Sequence, residues 1–171
     1  MPDFESHFIV SKTSWRIYIS FTGNIIEKNY ETADLIKIND FLFLKLNIPE
    51  TNQYIHGNKL LIENGILWIA DSIPDKSPKI IEIHTIDFNF MDFQIEGLFF
   101  GIAHWLSAYY NIEMPAYNVK YERHKRKYIF LFNEDNKEST NLLYPEGFVD
   151  ILHKQKDQSS YFKRIISIFS T

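Results

Sequence analysis

The chain of 171 residues contains no cysteine, and this absence excludes several classes of function. Without thiols there is no disulfide scaffold, no cysteine nucleophile, and no zinc or iron–sulfur site with cysteine ligands. The six histidines show no metal-ligand spacing, and the sequence has neither a phosphate-binding glycine loop nor a serine-nucleophile motif. We therefore expect no cofactor and no metal site, and the sequence favours a protein that is not an enzyme.

Long apolar runs are also missing. The longest uncharged stretch, residues 97–112, has 16 residues, whereas a membrane-spanning helix needs about 20. The first residues carry acids and no apolar run, which is not typical of a secretory signal. We expect a cytoplasmic protein without a membrane partner. The net charge of -4 also argues against nucleic acid as a partner, because nucleic-acid-binding proteins usually present a basic face.

Glycine and proline are scarce, with six of each, and no linker divides the chain. Hydrophobic residues make up 45% and charged residues 23% of the sequence, which is typical of a globular protein. A chain of this length can form a sizeable core. We therefore expect residues 1–171 to form a single domain.

Basic residues are absent between Lys79 and Lys120. The acidic residues inside this interval are Glu82, Asp87, Asp92, Glu96 and Glu113. An acidic binding surface would explain why this interval has acidic but no basic residues. Burial of the segment explains it more simply, because buried segments lose Lys and Arg first.

Period-two patterns predict strands in the first half of the chain. Residues 14–21 alternate apolar and polar side chains, and the Thr-Gly-Asn sequence at 22–24 predicts a turn that ends this strand. Residues 40–46 predict a second strand. Residues 79–88 are apolar on both faces over most of their length, which indicates a central strand.

Two hairpins are predicted. Asn64-Gly65 lies between the apolar runs 59–63 and 66–70, and Asn-Gly is the preferred pair for a two-residue hairpin turn. The second hairpin pairs residues 117–122 with residues 127–132.

Between these hairpins the apolar spacing changes to that of a helix over residues 93–110. Asp92 fits the N-cap position, and Glu96 lies where the helix dipole favours an acid. Gly97 and Gly101 lie four residues apart, which predicts a close approach of this helix to the sheet. The predicted fold is α+β: a largely antiparallel sheet packed against one main helix (93–110), with a short C-terminal helix.

The turn of the second hairpin is strongly basic. Its five basic residues are Lys120, Arg123, Lys125, Arg126 and Lys127, with tyrosines interleaved at 117, 121 and 128. Such a composition can bind single-stranded nucleic acid. A solvated hairpin end, whose charges discourage edge-to-edge strand pairing, is the interpretation we favour.

The segment 87–105, DFNFMDFQIEGLFFGIAHW, resembles a strand-to-helix passage of small bacterial proteins encoded beside toxins. In it an acid-rich turn leads through Gln94, Glu96, Gly97 and Leu98 into a helix with a tryptophan at position 105. These proteins are immunity proteins of contact-dependent or polymorphic toxin systems. The resemblance implies a protein that binds and neutralises a cognate toxin domain, and it implies no particular fold.

We therefore expect a non-enzymatic immunity protein that occludes the active site of a basic toxin domain, such as a nuclease. An acidic surface would complement such a partner and speed its association. The candidate partner-binding residues are Asp87, Asp92, Glu96, Glu134 and Asp135.

Two alternatives stay open. One is a small hydrolase-like enzyme that uses His84 or His104. His104 lies on the same helix face as Gly97 and Gly101, however, and a histidine in such a position is more often a hydrogen-bonded core residue. Strand geometry would place His84 and Asp87 on opposite faces. The other alternative is an oligomeric structural protein with an aromatic interface.

Overall fold

The computed structural model describes residues 2–28, 34–89 and 93–132. The strands are β1 (Phe4–Ser11), β2 (Arg16–Glu27), β3 (Ile36–Lys37), β4 (Leu42–Leu46), β5 (Lys79–Phe88), β6 (Tyr117–Glu122) and β7 (Lys127–Phe132). The helices are α1 (Gln53–Gly57), α2 (Lys59–Ile69) and α3 (Glu96–Tyr110), with a 3-10 turn at Ala70–Ser72.

Strands β1 to β5 form one sheet in the order β1-β2-β5-β4-β3. The β4–β5 pair is parallel and the other neighbours are antiparallel. A parallel pair needs a long crossover, and helices α1 and α2 lie in the connection from β4 to β5. The predicted α+β class with a largely antiparallel sheet is confirmed, as is the central position of strand 79–88.

Helix α3 is the centre of the molecule. It packs on the inner face of the sheet, where an added Cβ at Gly101 would lie 2.6 Å from Phe21 Cε2 and one at Gly97 would lie 3.2 Å from Ile17 Cγ2. The predicted close approach of the two glycines to the sheet is therefore confirmed. A second side of α3 contacts α2. At this contact, Gly65 of α2 lies against the backbone carbonyl of Phe99 of α3.

The hairpin β6–β7 covers a third side of α3. Its strands pair in the predicted register, from Tyr117 opposite Phe132 to Glu122 opposite Lys127. The ring of Phe100 stacks on Phe130 at 4.1 Å between centroids. Because α3 is enclosed by the sheet, α2 and this hairpin, most of its side chains are buried.

The predicted hairpin around Asn64-Gly65 is wrong, because residues 59–69 form helix α2. Its buried residues, Leu61, Ile62, Gly65, Ile66 and Ile69, follow helical spacing. Gly65 serves as the point of closest approach to α3 and not as a turn residue. Helix-to-helix packing therefore outweighs the local turn preference of Asn-Gly.

The turn predicted at 22–24 is also wrong. Strand β2 continues to Glu27, and its pairing with β5 shifts register between Thr22 and Gly23. This irregularity is a bulge, in which His84 of β5 is the extra residue opposite the Thr22–Gly23 step of β2. The backbone carbonyl of Glu82 occupies the space that a side chain at position 23 would need.

Strands β1 and β3 were not predicted. The expected C-terminal helix and the proposed N-cap Asp92 lie outside the described residues. The residue at the N-cap position of α3 is Ile95, which makes no side-chain cap. Within the described ranges, none of the helices has the length and apolar character needed to cross a membrane.

Candidate functional site

Strand register defines a polar outer face on the side of the sheet opposite α3. His7 pairs with Ser20 across β1 and β2, and Ser20 pairs with Asp87 across β2 and β5. Paired residues share a face of the sheet, so these three side chains lie in one row. Phe8 and Ile19, their neighbours in sequence, point inward and are buried.

A carboxylate–histidine pair lies on this outer face. His84 Nδ1 lies 2.8 Å from Asp3 Oδ2, and the side-chain amide of Asn24 donates to Asp3 Oδ1 at 3.4 Å. His84 belongs to the strand bulge, where two residues of β5 oppose one of β2. The bulge therefore turns His84 toward the segment that precedes β1. His84 and Asp87 thus share the outer face, and the expectation that they lie on opposite faces is wrong because the bulge breaks the strand alternation.

A second histidine cluster lies on β1 and β2. The ring of His7 stacks on Tyr18 at 5.8 Å between centroids, and the Tyr18 hydroxyl lies 3.1 Å from His7 Nδ1. Glu5 Oε1 lies 3.8 Å from His7 Nε2. Glu5 and His7 are exposed and Tyr18 is partly exposed, so the cluster is accessible to a macromolecular partner.

The carboxylates of the outer face differ in whether a lysine or arginine compensates their charge. Glu82 pairs with Lys45 of β4 at 3.1 Å. Over the described residues, no lysine or arginine pairs with Asp3, Glu5 or Asp87. We call the surface formed by these three carboxylates, His7, Tyr18 and His84 the acidic face.

The predicted partner-binding residues have different locations. Asp87 is exposed on the acidic face. Glu96 is 2% exposed and pairs with Lys127 at 3.1 Å, so it is not on the accessible turn that we expected. Asp92, Glu134 and Asp135 lie outside the described residues.

The sequence interpretation missed Asp3, Glu5, His7 and Tyr18. A usable signal existed in the sequence, because Phe4, Phe8 and Val10 occupy alternate positions to Glu5 and His7, as in a one-sided strand. The contact between His84 and Asp3 had no local signal, since it depends on the register of β1, β2 and β5.

A serine–histidine contact lies at the edge of the core. Ser6 Oγ lies 3.0 Å from His104 Nδ1, and burial lowers the pKa of His104 below its usual value of 6.5. The hydrogen bond expected for His104 is confirmed, but the side chain is only partly buried. A groove of about 420 Å³ is lined by Asn24, Ile25, Ile26, Glu27, Lys79, Tyr109 and Tyr110, and this lining includes neither Ser6 nor His104.

Metal-binding chemistry has no candidate among residues 2–28, 34–89 and 93–132, because no three His, Asp or Glu side chains there could hold an ion together. Comparisons with protein-family models, curated proteins and solved structures find no match to this chain. Geometry and charge alone make the acidic face the strongest candidate site.

Proposed function

We propose that this chain is a non-enzymatic immunity protein that binds a cognate bacterial toxin domain, such as a nuclease, and occludes its active site. The observation that carries the proposal is the acidic face. Three accessible carboxylates, at Asp3, Glu5 and Asp87, lie on the outer side of the sheet without a lysine or arginine partner among the described residues, and Ser20, between His7 and Asp87, is buried there.

Nuclease active sites must engage phosphate groups, so their surfaces are typically basic. A carboxylate surface would attract such a site, raise the association rate and disfavour acidic partners. The strand backbones hold Glu5 and Asp87 in fixed positions, which lowers the entropy cost of binding. His7 and Tyr18 add an aromatic pair of the kind enriched in interfaces.

The proposal is tested by capture from the native host. The tagged chain is used as bait, bound proteins are identified by mass spectrometry, and the activity of a captured toxin domain is measured with and without the chain. Stoichiometric inhibition of a basic toxin is the expected result. Capture of metabolic enzymes alone, or protection that requires turnover by the chain, would overturn the proposal.

A hydrolase is the second candidate, and the contact between Ser6 and His104 is the observation that favours it. The lowered pKa keeps His104 neutral at neutral pH, as a general base must be. Ser6 is 9% exposed, however, and the large groove does not reach it. Ester hydrolysis that is lost in Ser6→Ala, with unchanged melting behaviour, would favour the enzyme over the immunity protein.

A further inference from the structure

The turn between β6 and β7 concentrates positive charge at one end of the molecule. Arg123, Lys125 and Arg126 are exposed in this turn, and Lys120 is exposed on β6. Of these four, Lys125 pairs with Glu122 at 3.2 Å. Within the described part of the chain, Lys120, Arg123 and Arg126 have no carboxylate partner, so their charges are available to an anion.

The structure joins a second basic segment to this turn through Tyr128. The Tyr128 hydroxyl accepts a hydrogen bond from the Lys12 backbone N–H at 2.9 Å and donates one to the Trp15 carbonyl at 2.6 Å. These bonds hold the connection between β1 and β2 against the hairpin. The exposed Lys12 side chain is thereby brought to the basic end of the molecule.

The backbone of Tyr128 is fixed as well. The Gln94 side-chain amide donates to the Tyr128 carbonyl at 2.7 Å and accepts from its N–H at 2.8 Å, and both bonds are buried. Arg126 has a left-handed backbone with φ of 49°, which shapes the turn. The cations are therefore presented by a rigid support, and less conformational entropy is lost when a partner binds.

Two aromatic rings lie where the β1–β2 connection, which carries Lys12, meets the hairpin. Trp15 stacks on Tyr128 at 5.5 Å between centroids, and Tyr121 lies 5.2 Å from Tyr128 and 6.2 Å from Trp15. Trp15 and Tyr121 are partly exposed. Cations that follow a phosphate backbone, combined with aromatic rings that stack on bases, are the usual elements of a surface for single-stranded nucleic acid.

We propose that this basic surface, formed by Lys12, Arg123, Lys125, Arg126 and the rings of Trp15 and Tyr121, binds single-stranded nucleic acid. The net charge of -4 argued against such a partner, but the fold groups these cations at one turn and the connection that Tyr128 holds against it. An acidic protein would satisfy the cations but would make no use of the aromatic rings. The proposal does not depend on the immunity function.

The test measures fluorescence anisotropy of a labelled oligouridylate of about 12 nucleotides, a length within the range of single-strand binding sites. With the wild-type chain we expect a Kd of roughly 10⁻⁴ to 10⁻⁶ M at physiological salt and a steep loss of affinity as salt increases. The double variant Lys12→Glu/Arg123→Glu should bind about tenfold more weakly or worse, and its salt slope should fall by roughly 1.4, or 0.7 for each lost phosphate contact.

Lys37→Glu is the matched control, because Lys37 is an exposed lysine on β3, at the opposite edge of the sheet from β1. It should bind like the wild type. Arg126→Asn is a second variant that removes a charge while keeping a residue suited to a left-handed backbone. Thermal melting of each variant separates a binding defect from unfolding.

Two further probes distinguish nucleic acid from other anions. An abasic oligodeoxynucleotide should bind about fivefold more weakly or worse than oligothymidylate of the same length, because base stacking on the aromatic rings is lost. Poly-glutamate of equal charge should compete poorly. The proposal is overturned by absent binding at about 50 mM salt, by equal binding of the abasic strand, by equal competition from poly-glutamate, or by an equal defect in Lys37→Glu.

Discussion

Lys127 Nζ lies 3.1 Å from Glu96 Oε1, and this ion pair joins the first residue of helix α3 to strand β7. The Glu96 side chain is almost completely buried, whereas that of Lys127 is 38% exposed. Among the described residues, Lys127 is the basic side chain that pairs with this carboxylate. Removing that lysine would leave a buried, uncompensated negative charge.

We predict that Lys127→Ala lowers the free energy of unfolding by about 2–3 kcal/mol, because a charged group loses its hydrogen-bonding partner in the interior. Lys125→Ala removes the exposed pair with Glu122 and should cost at most about 1 kcal/mol. Urea unfolding of both variants measures the difference. Equal costs would show that burial of Glu96 does not make its ion pair more important.

Replacing Gly65, Gly97 or Gly101 of the helices with alanine should change the free energy of unfolding by different amounts. We expect Gly65→Ala to be the most harmful, because the new methyl group would collide with the Phe99 carbonyl. Gly101→Ala should lower the free energy of unfolding by about 1–2 kcal/mol, since overpacking against Phe21 exceeds the helical preference for alanine. Gly97→Ala, with its nearest atom at 3.2 Å, should change stability by less than about 1 kcal/mol. Thermal melts of the three variants test this order, and a stabilised Gly101→Ala would contradict it.

The lowered pKa of His104 predicts a dependence of stability on pH. Burial favours the neutral ring in the folded chain, whereas the unfolded chain binds a proton near the usual value of 6.5. As pH falls through 6.5 toward the folded-state pKa, the unfolded state takes up more protons and the folded state loses stability. Below both pKa values the loss levels off.

His104→Gln should remove this part of the pH dependence. Urea unfolding is measured between about pH 7.5 and pH 5 for the wild type and the variant, a range that brackets the unperturbed histidine pKa. The wild type should lose more stability than the variant across this interval. Parallel curves would mean that the protonation of His104 does not differ between the folded and unfolded states.

Tyr128→Phe removes the hydroxyl that joins the β1–β2 connection to the hairpin. The Lys12 N–H and the Trp15 carbonyl both lose their partner, which should cost about 1–3 kcal/mol. Hydrogen exchange at the Lys12 amide should accelerate more than exchange in β5. Tyr121→Phe is the control, since its hydroxyl makes no hydrogen bond to a described residue, and it should leave both measurements nearly unchanged.

Asp87→Lys tests the acidic face once a toxin domain has been captured. The association rate should fall, and the defect should be larger at low salt, because exposed charges are screened beyond about 10 Å at 0.1 M salt. Asp71→Lys places the same charge change on the exposed 3-10 turn after α2. Equal association rates for Asp87→Lys and the wild type would contradict the proposal that the acidic face binds the toxin. Glu96→Lys is unsuitable as a probe, because Glu96 is buried.

Long periodic elements were predictable from the sequence. Strand 79–88, the main helix and the hairpin of residues 117–132 agree with the structure because each carries several apolar residues, either at helical spacing or in a strand-length run. Predictions that depended on two or three turn residues were wrong. At Asn64-Gly65 and at Thr22-Gly23-Asn24, glycine serves close packing inside a helix or a strand, and local turn preference could not reveal the neighbouring backbone.

The candidate site was less predictable than the fold. Asp87 was singled out for its place in an acidic interval, and it is exposed on the acidic face. Its companions Asp3 and His84 are 81 residues apart in the chain, and only strand register brings them together. Glu96 was predicted to bind a partner, but it is buried. An acid at a helix start is usually solvated, whereas here the hairpin covers it.

The central position of α3 has a consequence for synthesis of the chain on the ribosome. Strands β1 and β2 are made first, and their inner face of Phe8, Ile17, Ile19 and Phe21 has no cover until α3 arrives. About 70 residues separate the end of β2 from α3, so at roughly 5–20 residues per second this apolar surface waits on the order of 4–14 s. During that interval the nascent chain exposes an unpaired strand edge, which makes it a substrate for chaperones well before its own hairpin can close over the helix.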